Sequence, residues 1–205
     1  MKKIFDLIIS YKLVLIKILY FEIFHILLGY KGNNFNIRNE TKTTDTIPCP
    51  YYFLTLIYRV IDKENIRSFV DLGCGNGRVL FFFNKKKPKI SYVGVELFKN
   101  SFDTCVKILK NYKNIQIFNK NFFDLDFHKK SYDCYFLNDP LKTLEDHNKM
   151  INKIIISHHS LKRDALFVLV NLTQGKYTVF KNQKLIFNYN LNSRNIRIYK
   201  YKFYK

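Results

Sequence analysis

Ser68-Phe69-Val70-Asp71-Leu72-Gly73-Cys74-Gly75-Asn76-Gly77-Arg78-Val79 is the stretch that decides the fold. Ser68-Phe69-Val70 has the short apolar character of a buried strand, and Gly77–Lys86 has that of a helix, ended by Pro88. Three glycines in DxGxGxG spacing join the two. Gly73 and Gly75 have no β-carbon, so the backbone there turns tightly and approaches a ligand closely, and Gly77 permits close packing where the helix begins. Amide groups exposed at that helix start favour a ligand with electron-rich polar groups.

Asp71 narrows the class of ligand. A loop built only to cradle pyrophosphate gains little from a carboxylate, whereas the ammonium group of an amino-acid-bearing cofactor is drawn towards one. Glu96 follows the next strand, Ile90–Val95, where it can accept hydrogen bonds from two ribose hydroxyls. The same placement serves NAD enzymes, so Glu96 by itself selects a nucleoside.

Working outward, strand-like and helical patterns alternate. Ser101–Asn111 is helical, Ile115–Asn119 a third strand, Tyr132–Leu137 a fourth, Glu145–Ser157 helical, and Ala165–Val170 an apolar strand. This alternation predicts an α/β fold with a mostly parallel sheet covered on both faces. Beyond Asn171 the pattern changes to short strands separated by turns, at Tyr177–Phe180, Leu185–Tyr189 and Ile196–Phe203, which close one edge of the sheet. Upstream, Tyr51–Ile61 is helical, and the stretch from Gly29 to Pro48 and Pro50 is irregular and crosses the surface.

Residues Ile4 to Leu28 are rich in Ile, Leu, Phe and Tyr but are interrupted by Asp6, Lys12, Lys17 and Glu22. A spanning helix would place Lys17 and Glu22 in hydrocarbon at a cost of about 3 kcal/mol each, which argues against spanning. On a helical wheel the charges fall on several sides. The preferred expectation is a helix packed on the domain or in a dimer, ahead of peripheral membrane contact through residues 4–28.

The chain has 205 residues, of which 47% are apolar and 25% charged, the composition of one folded domain with an N-terminal appendage. Lys and Arg number 35 against 16 Asp and Glu, a formal charge of +19. Such a charge attracts polyanions and acidic membrane surfaces without identifying a specific partner. Much of the excess is lysine in a chain also rich in Asn, Ile, Phe and Tyr, so it reads first as compositional bias. Cys49, Cys74, Cys105 and Cys134 lie far apart with no CxxC pair, which excludes a zinc-site pattern and points to reduced thiols and a cytoplasmic protein. His158 and His159 read as helix-terminal residues, and no metal is expected.

The run Val70–Leu80, VDLGCGNGRVL, followed by YVGVEL at Tyr92–Leu97, resembles the nucleotide-binding half of class I S-adenosylmethionine-dependent methyltransferases. The likeness extends from about Asp45 to Asn171. More narrowly, the chain is similar to a group of small bacterial proteins of that superfamily. The resemblance implies a Rossmann-like sheet with helices on both faces and an N-terminal helical extension. Its third strand lies at one edge, with an antiparallel strand inserted near the other. Residues 1–45 then form the N-terminal helix and surface-crossing segment, and 46–205 the methyltransferase domain. The implied cofactor is S-adenosyl-L-methionine. Asp71 and the backbone of Gly73, Cys74, Gly75 and Gly77 would surround its methionine part, Glu96 would bind the ribose, Leu97 would pack near the adenine, and Asn121 (or Asp124) would accept from the adenine amino group.

Asn138-Asp139-Pro140 follows the fourth strand, where the transferable methyl group lies in this fold, so Asn138 and Pro140 are expected at the acceptor site. The segment partly resembles the Asn/Asp-Pro-Pro-aromatic signature of amino methyltransferases but has Asp139 in place of a proline and Leu141 in place of the aromatic. The Thr46–Tyr51 segment is expected over the cofactor pocket, with Tyr51 at the acceptor site, and Asn171 matches a family asparagine by position. The leading expectation is methyl transfer to a protein side chain or a small metabolite. One alternative is an RNA or DNA methyltransferase or nucleic-acid-binding protein. It would use the carboxyl region 165–205, which has eight Lys or Arg and no Asp or Glu. Another is an NAD-dependent oxidoreductase, against which stand Asp71 and the lack of a Tyr/Lys catalytic pair.

Overall fold

The computed structural model describes residues 2–32, 47–171, 180, 183–191 and 194–203. Seven strands form one sheet: β1 (Ser68–Leu72), β2 (Ser91–Glu96), β3 (Ile115–Asn119), β4 (Cys134–Asn138), β5 (Ala165–Val170), β6 (Lys184–Leu191) and β7 (Arg194–Tyr201). Their order across the sheet is β3-β2-β1-β4-β5-β7-β6. The first five are parallel, and β7 runs antiparallel to both β5 and β6. The α-helices are α1 (Lys2–Leu27), α2 (Tyr51–Ile61), α3 (Arg78–Lys86), α4 (Lys99–Leu109) and α5 (Leu144–Ser160).

Successive residues of the central strands point to opposite faces, and each face has its own core. Phe69, Phe136, Val168 and Ile198 pack with α2, α3 and α4, whereas Val70, Tyr135, Phe167 and Leu169 pack with Met150, Ile151 and Ile154 of α5. The sheet is therefore covered on both sides, as the near-continuous apolar strands require. Its antiparallel β7, inserted between β5 and β6, departs from the 3-2-1-4-5-6 strand order of dinucleotide-binding dehydrogenases, which counts against the oxidoreductase alternative.

Most element boundaries agree with the sequence reading to within two residues. β4 begins at Cys134 instead of Tyr132, because Asp133 turns aside: its Oδ2 accepts from the amides of Arg67 and Ser68 at the start of β1, at 2.8 and 3.0 Å. The expected strand at 177–180 lies outside the described residues apart from Phe180.

α1 packs on α2 through its inner side, where Ile18 and Phe21 join the core and His25 is buried. Glu22, which looks like an interruption in the apolar run, faces inward and makes three hydrogen bonds. Its Oε1 accepts from the Tyr51 amide at 2.8 Å, and its two oxygens accept from Arg78 Nη1 at 3.0 and 2.8 Å. The carboxylate thus sits at the positive end of α2, whose N-cap, Pro50, offers no side-chain acceptor. It also neutralises a buried guanidinium at the start of α3, where the helix end alone would repel a cation. No described helix is long and apolar enough to cross a membrane.

Candidate active site

Asp71, Gly73, Cys74, Gly75 and Glu96 meet at one end of β1 and β2, around a cavity of about 360 Å³. Parallel pairing sets Asp71 beside Gly94 of β2 and Phe136 of β4, so its side chain rises from the centre of the sheet. The chain then leaves β1 through Gly73, Gly75 and Gly77, all at positive φ (85°, 53° and 84°), conformations that cost other residues strain. The amides of Gly73 and Cys74 both donate to the Val95 carbonyl, at 2.8 and 3.0 Å, which pins the loop to β2.

Close contacts account for the glycines more sharply than turning does. A β-carbon on Gly73 would lie 2.9 Å from Pro140 Cβ, so this glycine lets the segment after β4 press against the loop. One on Gly77 would meet Cys105 Sγ at 2.6 Å, and one on Gly94 would meet Cys74 Sγ at 2.8 Å. Gly77 accordingly packs α3 against α4 and does not line the cavity, a correction to its expected place beside the cofactor.

The two acids have different surroundings. Glu96 is buried, and its oxygens accept from the amides of Gly75 (2.8 Å) and Phe98 (2.9 Å). It therefore ties the glycine loop to the end of β2, and because a carboxylate oxygen can accept more than one hydrogen bond, a ribose hydroxyl can join these amides. Asp71 is also buried, but its Oδ2 has no hydrogen-bond partner among the described residues. Burial, reinforced by the neighbouring charge of Glu96, pushes its carboxyl well above the ordinary aspartate range. A buried carboxylate oxygen bordering a cavity with a donor lacking is a site for a cation, and an ammonium group meets that need. The residues present thus fit a nucleoside carrying an amino-acid chain: ammonium at Asp71, ribose at Glu96.

Leu97 and Asn121 also line the cavity. Asn121 caps the short 3₁₀ turn Phe122–Asp124, its side-chain oxygen accepting from the Phe123 amide at 3.0 Å, so only the second lone pair is left for an adenine amino group. Asp124, the alternative position, is not in the lining. Asn119 was not anticipated as a positioning residue. Its Nδ2 donates to the carbonyls of Glu96 and Leu97, both at 2.9 Å, and fixes the backbone that carries them.

On the acceptor side, Asn138 and Pro140 line the cavity. Asn138 is held at both ends of its amide: Nδ2 donates to the Ile47 carbonyl at 2.9 Å, and Oδ1 accepts from Asn171 Nδ2 at 2.8 Å. The chain Asn171–Asn138–Ile47 straps the segment before α2 across the cavity, whose walls include Ile47, Pro48 and Cys49 as expected for the residues ahead of Tyr51. Tyr51 itself is misplaced by the sequence reading. On the first turn of α2 it faces inward, stacked on His25 (4.6 Å between centroids) and under Arg78 (4.4 Å), and does not line the cavity. Gly32, Asp146 and Lys149 line it without a motif to announce them; they arrive there through the packing of distant segments.

Asp139, between Asn138 and Pro140, adopts φ 44°, and its Oδ1 lies 3.6 Å from His147 Nε2. Burial raises its carboxyl to about 6. His158 is structural, paired with Tyr135 Oη at 2.9 Å. All four cysteines are free and buried, and no group of metal-ligating side chains occurs among the described residues.

A family model described as a methyltransferase domain matches residues 69–157. No curated protein matches the chain. Among solved structures, an RNA methyltransferase of Salinibacter ruber in complex with S-adenosyl-L-homocysteine superposes with a TM-score of 0.59 at 14% identity, covering 76% of this chain and 94% of its own. The Escherichia coli protein yhhF, assigned as a methyltransferase, gives 0.59 at 12% identity, over 77% and 89%. The human methyltransferase 10 domain containing protein gives 0.57 at 15% identity, over 78% and 84%. These likenesses establish the fold. The domain match spans the glycine loop, both acids and the acceptor segment, and together with the fold it supports the class I S-adenosylmethionine-dependent methyltransferase superfamily.

Proposed function

We propose that this enzyme transfers a methyl group from S-adenosyl-L-methionine to a protein side chain or a small metabolite. The observation that carries the cofactor part is the lone Oδ2 of Asp71 at the cavity wall, with Glu96 set beside it. The cofactor supplies an already activated methyl group, so the protein's work is alignment and exclusion of water. Asp71 would hold the ammonium end and Glu96 the ribose. Pro140, pressed against Gly73, would set the distance between the acceptor wall and the glycine loop.

The commitment of Asn138 supports an acceptor other than a base amine. In the amino methyltransferases that the segment partly resembles, the polar side chain holds the acceptor. Here that amide is spent on the strap, and Asp139 and Leu141 depart from the signature. The nucleic-acid reading has its own support in the charge of +19 and the acid-free carboxyl region. Incubating the enzyme with methyl-labelled cofactor and fractionated cell extract separates the two. Label is expected in protein or small molecules, and label confined to RNA or DNA overturns the acceptor assignment.

A further inference from the structure

The outward face of α1 is apolar along its described length. Ile16, Leu19, Ile23 and Leu27 succeed one another at steps of three and four residues, and they are 62, 61, 50 and 80% exposed. Tyr20 and Phe24 widen the stripe on one side. Exposed apolar runs of this extent mark surfaces that meet something. Among the described residues nothing covers this one.

The charges decide between occupants. Glu22 is the one acid between Lys12 and Gly32, and it points inward to Arg78, so it does not oppose an anionic surface. Lys12 heads the stripe and Lys17 flanks it, both exposed. A second copy would bring two bodies of +19 together and bury those lysines against a like-charged partner. An acidic bilayer attracts the same charge and lets each lysine extend its ammonium to the headgroups while its stem stays in the apolar layer. Spanning is excluded by the helix composition, and the inner side of α1 is already held on the domain. Only the outer face is left to enter a membrane, with the helix axis lying along the surface.

We infer that α1 is a surface anchor that docks the enzyme on anionic phospholipid bilayers, with Ile16, Leu19, Ile23 and Leu27 entering the acyl boundary and Lys12 and Lys17 meeting the phosphates. This holds whatever the methyl acceptor is.

The test is co-sedimentation of the full chain with extruded vesicles of equimolar phosphatidylcholine and phosphatidylglycerol, and of phosphatidylcholine alone. The protein should pellet with the mixed vesicles and at least about tenfold less with the neutral ones. Ile16→Asp with Ile23→Asp should weaken binding to the mixed vesicles at least about tenfold while the melting curve is retained, because both side chains are exposed. Leu19→Ala with Leu27→Ala, a milder pair, should weaken it less. Wild-type protein left in the supernatant overturns the inference. So does equal pelleting of wild type and the aspartate variant, which leaves charge attraction alone. A dimer that the aspartates dissociate, without vesicle binding, assigns the face to a second copy.

Discussion

Asp71→Asn separates what the site costs from what it does. In the protein without cofactor, Asp71 is a buried carboxylate with one oxygen lacking a partner, and such a group costs about 1–3 kcal/mol or more when charged. Asparagine keeps the shape and removes the charge, and a neutral amide is cheaper to bury. The cofactor-free variant should therefore be more stable by about 1–3 kcal/mol, which for this chain length raises Tm by about 2–4 °C for each kcal/mol. The sign follows from linkage. The folded-state value of Asp71 lies above its unfolded value of about 3.9, so wild-type stability attributable to this group is full below that pH and is lost as pH rises through the folded value. The advantage of the Asp71→Asn variant should accordingly vanish in acid. Binding should move the other way. Removing one member of a buried charge pair costs about 2–5 kcal/mol, so affinity for S-adenosylhomocysteine should fall at least about thirtyfold in calorimetry. A variant less stable than wild type, or one that binds the nucleoside as tightly, refutes the reasoning.

Glu22→Gln should destabilise the protein by about 3 kcal/mol in urea unfolding, since it strands the Arg78 guanidinium, whose side chain is only 7% exposed. Gly73→Ala forces a β-carbon to 2.9 Å from Pro140 at φ 85°, so nucleoside binding should drop at least about tenfold in calorimetry, with a stability loss of about 1–3 kcal/mol in chemical denaturation. Asn171→Ala releases one end of the Asn138 amide and should raise hydrogen exchange in residues 47–50 while leaving β4 protected. Asp139 loses stability as pH rises through about 6, so Asp139→Asn should flatten the denaturation midpoint between about pH 4 and 6, the unfolded and folded values, with the profile unchanged above.

The cofactor half of the site was legible because its signals are local. Gly73, Gly75 and Asp71 lie within five residues, and the chemistry of a strand–loop–helix turn is set by those residues alone. Glu96 needed only the next strand. The acceptor half was less so, because it depends on which side chains find each other across long separations. Asn138 reads as a turn residue or an acceptor ligand, and nothing near it announces that Asn171 and Ile47 occupy its amide. Tyr51 was misplaced because a helix start does not reveal which way its first turn faces. The direction was set by α1, whose Glu22 binds the Tyr51 amide and whose His25 stacks on the ring. Glu22 itself read as a blemish in an apolar run; the clue to its partner was an arginine directly after the last glycine of the loop.

The pairing of Glu22 with Arg78 joins residues 56 positions apart, one in the N-terminal helix and one in the glycine-loop motif. Loss of the acid alone leaves a buried guanidinium, and loss of the arginine alone leaves a half-buried carboxylate. Such positions should be inherited together: relatives with an uncharged residue at 78 are released from needing an acid in the first helix, and relatives without that helix should lack the arginine. A motif residue that looks like part of cofactor recognition would then record the presence of an N-terminal element far upstream of it.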